Sequence, residues 1–178
     1  MIVYHVVCTN SADYKERRGP HREAHLQRLV ALRSQGLLIG AALRADLSAA
    51  DCFFRVNQPS EVETLIKDDP YYTSGVWTGY TLRTFGQFVE PWKPVDPVFD
   101  GSRKATFVEG APSDPAMAAF ALIELRGQGR MAFGGFLANG NSLALLHTPD
   151  PSAARGYLTE TGFWPEPALH AWSSLYVL

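Results

Sequence analysis

Cysteine is scarce in this sequence. Cys8 and Cys52 are the only two among 178 residues, and each sits inside an apolar run. A disulfide framework and a Cys-x-x-Cys motif are thereby excluded, and two buried small hydrophobes in a reducing compartment are expected. No sign of charge prevails either. Lys and Arg number 16 against 18 Asp and Glu, a formal net charge of −2. A basic footprint for nucleic acid is therefore missing. Long hydrophobic runs are missing too: residues 37–42, LLIGAA, fall far short of the ~20 that a membrane helix needs. The opening MIVYHVVCTN has no basic stretch ahead of an apolar one, unlike a secretory signal. These absences point to a cytoplasmic protein without membrane or nucleic-acid partners. There is no P-loop, no Gly-x-Gly-x-x-Gly fingerprint and no Gly-x-Ser-x-Gly elbow, so no cofactor is expected.

What is present is ordinary globular composition, 46% hydrophobic and 12% aromatic. Residues 86–103 read GQFVEPWKPVDPVFDGSR, a proline-rich stretch with an Asp-Gly turn that reads as a linker. Around it the sequence repeats itself. Leu32-Arg33-Ser34-Gln35-Gly36 recurs as Leu125-Arg126-Gly127-Gln128-Gly129. Apolar runs follow both, LLIGAAL and MAFGGFL. CFFRVNQPS (52–60) then lies against ALLHTPDPS (144–152), and the register holds to the end, with Trp77 opposite Leu169 and Tyr80 opposite Trp172. The ordered series indicates an internal duplication.

Each half reads as strand, helix, strand, strand, helix, strand. In the first half residues 2–8 are β-branched and aromatic, hence a strand. Residues 20–35 carry Leu26, Leu29, Val30 and Leu32 at helical spacing, and Gly36 ends that helix. Residues 37–43 and 51–56 are two more strands, and residues 76–85 the last. Ser60-Glu61-Val62-Glu63 has capping-box spacing at the start of the second helix. Asp114-Pro115 and Asp150-Pro151 open the helices of the second half, and Asn139-Gly140 turns its hairpin.

A βαββαβ unit is the ferredoxin-like arrangement. Its strands here are apolar on both faces, so the face away from the helices must also be covered. The expected fold class is α+β. Two tandem ferredoxin-like units, residues 1–88 and 104–178 joined by a linker at 89–103, pack sheet to sheet as an intrachain pseudo-dimer, like a dimeric α/β barrel. Gly40, Gly134 and Gly135 fit a close approach of that kind. The whole chain is then a monomer, or a homodimer of such chains.

Candidate chemistry centres on histidine. His21 and His25 are spaced i and i+4, but no third metal ligand is evident, and no metal site is expected. His25 shares a helix stripe with Arg22, Leu29 and Leu32. An imidazole at the edge of an apolar face is either a base in a pocket or a core histidine satisfied by a carbonyl. Asp68-Asp69-Pro70-Tyr71-Tyr72 ends the second helix. It reads either as a turn or as a carboxylate that orients a histidine, with Tyr71 or Tyr72 lining a pocket. His5, in mid-strand, faces either the helices or the opposing sheet.

The series Arg18, Arg22-x-x-His25-Leu26, Gly36, Gly40, Asp69-Pro70-Tyr71 and Gly75-Val76 resembles the YCII-like family over residues 1–88. The second half resembles it only through the repeat. The resemblance implies small bacterial proteins of ferredoxin-like fold that pair through their sheets. It also implies a helix histidine and a nearby aspartate acting as an acid–base pair, here His25 and Asp69. One branch of that family is linked to dehydrochlorination of chlorinated hydroxyhydroquinones. Gly19-Pro20 departs from the family by interrupting its longer first helix. The functional expectation is a cofactor-independent isomerase or lyase acting on a small cyclic or aromatic ligand. His25 and Asp69 are its catalytic residues, with Arg22, His5 and Tyr72 binding substrate. The alternative is a non-catalytic small-molecule binder or a structural protein. In the second half Ala118, Pro115 and Thr161 stand where His25, Arg22 and Asp69 stand in the first.

Overall fold

The computed structural model describes residues 1–91 and 104–177. The chain forms two compact units, Met1–Thr84 and Phe85–Val177. The first contains β1 (Ile2–Asn10), α1 (Tyr14–Arg17), a 3-10 turn (Gly19–His21), α2 (Arg22–Ser34), β2 (Leu38–Arg44), β3 (Ala49–Val56), α3 (Pro59–Lys67), α4 (Pro70–Thr73) and β4 (Trp77–Val89). The second contains β5 (Ala105–Gly110), α5 (Pro115–Gly127), β6 (Met131–Leu137), β7 (Ser142–Leu146), α6 (Pro151–Thr159) and β8 (His170–Val177). Strand order is β4-β1-β3-β2 in the first unit and β8-β5-β7-β6 in the second. Each is the ferredoxin-like order expected from the repeat. The first unit closes at Thr84. Residues 85–89 at the end of β4 belong to the second, where they pair antiparallel with β6. Of the stretch expected as a linker, residues 92–103 lie outside the described residues.

Both long helices end in the same device. The Gly36 and Gly129 backbones take φ of +74°, a conformation that glycine adopts without a Cβ penalty. Leu37 N–H then reaches Leu32 O, and Arg130 N–H reaches Leu125 O, each at 3.0 Å. Helix starts are equally regular. Pro59, Pro70, Pro115 and Pro151 each occupy the first turn, where a missing N–H costs nothing.

Four local expectations are corrected. The second helix begins at Pro59 with Gln58 as cap and no side-chain cap bond. Ser60 therefore lies one residue inside the helix, and the Ser60–Glu63 capping box does not form. Asn139-Gly140 is not a turn with two left-handed residues: only Gly140 has positive φ. Gly140 N–H bonds Leu137 O at 2.9 Å and Leu137 N–H bonds Asn141 O at 2.7 Å, as in a three-residue loop with glycine in the bulge position. Asp69 does not end a helix; it caps the start of α4. The tight spots at Gly134 and Gly135 lie against neighbouring strands of their own sheet. A Cβ on Gly135 would stand 2.2 Å from Gln87 O, and one on Gly134 would stand 3.0 Å from Leu143 O.

In the second unit the helices cover the sheet face that carries Val108, Ala144 and Leu146, packed with Leu122, Leu125 and Leu158. Through the repeat, Cys52 and Phe54 hold the matching face in the first unit, with Val6 and Tyr4 as their β1 partners. Both cysteines are free and buried there. Burial pushes the Cys8 thiol up, and Cys52 beside it adds to the rise, so the pair behaves as apolar filler. No helix among the described residues is long and apolar enough to cross a membrane.

Candidate functional site

His25 projects from the second turn of α2, where the spacing of Leu29 and Leu32 turns it onto the sheet; all three are buried. Asp69 is delivered by a different device. An aspartate before proline has extended backbone, and its carboxylate accepts the N–H two residues on. Tyr71 N–H donates to Asp69 Oδ1 at 2.8 Å, and His25 Nδ1 meets the same oxygen at 2.8 Å. The side chains are only 8% and 3% exposed. A carboxylate oxygen without a proton can only accept, so Nδ1 is the donor in this contact. Nε2 has no partner among the described residues, and it is not one of the sealed, unpaired polar atoms.

The ring is held from two further sides. Tyr71 stacks on His25 with centroids 3.8 Å apart, and Trp77 meets it edge-on at 5.1 Å. The indole Nε1 of Trp77 is buried and unpartnered among the described residues. Arg28 Nε lies 3.9 Å from Asp69 Oδ2. Burial pushes the Tyr71 hydroxyl up, with the hydroxyl of Tyr14 beside it, against the pull of Arg18 and Arg22. Tyr71 thus stays protonated at neutral pH. Arg18 itself lies over the Tyr14 ring at 5.2 Å. The arrangement can fix one imidazole tautomer, present its other nitrogen, and set two guanidinium groups near a tyrosine hydroxyl.

The structure therefore brings His25, Asp69 and Tyr71 together, with Arg22 near Tyr71. It does not bring Tyr72, whose ring packs edge-on against Tyr80 at 6.0 Å. Consecutive residues of α4 diverge by about 100°, so Tyr71 takes the inner position. His5 does not join the site either. Cys8, on the helix-covered face, senses the Asp69 carboxylate. His5 is an odd number of residues away and so points to the opposite face of the sheet.

On that face His5 makes a second histidine–aspartate pair that sequence reading missed. His5 Nε2 meets Asp51 Oδ1 at 2.8 Å, and both side chains are fully buried. Arg83 Nη2 lies 2.9 Å from His5 Nδ1. Arg44 binds both Asp51 oxygens, at 2.9 and 3.0 Å. Each of the four strands contributes one member. Burial is the main cause that lowers the His5 pKa, ahead of the opposing Asp51. Arg83 needs the Nδ1 lone pair as acceptor, so His5 is neutral. Burial works against the Asp51 carboxylate, yet the bonds from His5 and Arg44 outweigh it and hold its pKa at about 2. With both ring nitrogens engaged, His5 is a positioning group rather than a free base. The available signal was charge inside strands: Arg44, Asp51 and Arg83 all interrupt apolar runs.

No group of three or more histidine, cysteine or acidic side chains among the described residues could hold a metal ion. No protein-family model and no curated protein matches the chain. Solved structures do. A proposed monooxygenase of Lactobacillus acidophilus is 10% identical, over 97% of this chain and 92% of its own, with a TM-score of 0.59. A proposed monooxygenase of Fusobacterium nucleatum is 7% identical, over 99% and 93%, at 0.58. A heme-binding protein of Thermus thermophilus is 13% identical, over 99% and 92%, at 0.54. At these identities the likeness concerns the α+β fold alone.

Proposed function

We propose that the chain is a cofactor-independent acid–base enzyme of isomerase or lyase type, acting on a small cyclic or aromatic molecule. The observation that carries this reading is the buried His25–Asp69 pair, in which Nδ1 is tied to the carboxylate and Nε2 has no partner among the described residues. In this scheme Nε2 takes a proton from substrate while Asp69 holds the tautomer and stabilises the imidazolium. In a dehydrohalogenation the proton goes to Nε2 and the electron pair of the broken C–H bond expels halide. Arg22 steadies an anionic substituent. The membership of residues 1–88 in the YCII-like family is part of the same proposal. Its support is that His25 and Asp69, 44 residues apart, meet at 2.8 Å.

The test is a screen of hydroxylated and halogenated ring compounds, read by proton or halide release, followed by kinetics of two variants. His25→Ala loses about 10²–10⁴-fold in kcat, the usual contribution of a general base. Asp69→Asn loses less, because the base remains. A His25→Ala chain that turns over at the wild-type rate sinks the assignment.

A further inference from the structure

We propose that the groove between α5 and α6 of the second unit is a binding site for a flat, apolar small molecule that carries no negative charge. The argument begins with the repeat. Ala118, Leu122 and Leu125 occupy the buried stripe of α5 that His25, Leu29 and Leu32 occupy on α2. In that register Ala121 stands where Arg28 stands and Phe120 where Gln27 stands; in the register that starts at Cys52 and Ala144, Thr161 stands where Asp69 stands. Arg28 fills the space beside its helix: Nη2 donates to Leu65 O at 3.1 Å, and Nε lies 3.9 Å from Asp69. The second unit has only a methyl group at this point. A groove of about 340 Å³ lies there, within the size range of small-molecule pockets.

Its walls differ in kind from the first site. Met117 and Phe120 of α5, Tyr157 of α6 and Phe163 line it together with the buried Ala121 and Leu125. Phe120 is 67% exposed and Met117 44%, although α2 carries glutamine and alanine at these places. Exposed large apolar groups around a concavity mark a surface that gains by being covered. No histidine lines the groove, and the Thr161 hydroxyl already donates to Leu158 O at 2.6 Å. The histidine–aspartate pair of the first unit thus has no counterpart in this groove. Charge selects the occupant. Glu124 and Glu160 line the groove with one guanidinium, that of Arg130, which pairs with Glu160 at 3.0 Å and covers the Tyr157 ring at 4.8 Å. The excess carboxylate repels anions, and three aromatic rings favour a planar body.

The probe is N-phenyl-1-naphthylamine, a neutral dye that brightens in apolar surroundings, titrated against the intact chain. Saturable binding at about one dye per chain is expected. Ala121→Arg, which restores the side chain that fills this space in the first unit, abolishes it. Phe120→Gln alters only an exposed side chain, so folding is preserved, and it weakens binding at least tenfold. His25→Ala leaves dye binding unchanged, which separates this site from the first. An anionic anilinonaphthalene sulfonate binds at least tenfold less tightly. The proposal is overturned if no saturable binding occurs, if Phe120→Gln binds as well as wild type, or if the sulfonate binds equally. It is also overturned if the chain sediments as a dimer that Phe120→Gln dissociates while the dye stays unbound, since the occupant is then a second copy.

Discussion

Replacing Asp69 separates what its oxygen does from what its charge does. Both the Tyr71 amide and His25 Nδ1 bond the same atom, Oδ1, at 2.8 Å. Asp69→Ala removes that acceptor entirely. Loss of a helix cap costs about 1 kcal/mol. A buried imidazole N–H left without a partner costs a further 1–3 kcal/mol or so. The expected sum is about 3 kcal/mol, and at roughly 2–4 °C per kcal/mol for a chain of this size the midpoint falls by about 6–12 °C. Asp69→Asn keeps an acceptor at the same place and loses only the charge assistance, about 1 kcal/mol. Asparagine is then worth about 2 kcal/mol over alanine at this position. Urea unfolding of the three chains, followed by circular dichroism and tryptophan fluorescence, measures the difference. Equal losses for the two variants would mean that the geometry at Oδ1 is not what holds α2 to α4.

The His5 pair gives stability a pH dependence. Its folded pKa lies below 6.5, so the unfolded chain binds the proton first. The stability it contributes is present above pH 6.5 and is lost as pH falls through 6.5 toward the folded value, at up to ~1.4 kcal/mol per pH unit. Asp51, held at about 2, stays charged across that range. Urea midpoints between pH 5 and 8 should slope for wild type and flatten for His5→Phe; a flat wild-type profile contradicts the burial argument. Gly135→Ala would put a Cβ 2.2 Å from Gln87 O and 3.0 Å from the Cα of Phe88. The end of β4 must then shift, at a cost of about 3 kcal/mol. Gly127→Ala, at the end of α5 with nothing within 4 Å, instead gains roughly 0.5–1 kcal/mol. If both glycine variants have the wild-type melting temperature, close approach at Gly135 is not a constraint.

The order of the main strands and helices, the repeat and the stripe that buries His25 are legible in the chain before it folds. These follow from short-range periodicity, and from proline and glycine at helix ends, where one residue's backbone preference decides the outcome. Local rules that depend on register by a single residue were less secure. Ser60 has a capping residue's chemistry, yet Pro59 starts the helix one place earlier and takes the first turn. Asp69-Pro70 carries the same cap signal as Asp114-Pro115 and Asp150-Pro151, each with its carboxylate on an amide two residues on. The helix that precedes it concealed that likeness. Which groups meet depends on the folded arrangement. His25 finds Asp69 across 44 residues and His5 finds Asp51 across 46. Neither separation has a period, because each is set by which strands pair and which face each side chain takes. The second unit makes the same point by loss. Phe107 and Leu143 stand where His5 and Asp51 stand, and Ala118 and Thr161 where His25 and Asp69 stand. The fold tolerates all four replacements, because strand order depends on the apolar pattern that both halves share. The charged pairs are additions to that pattern, visible only once the sheet has brought them into contact.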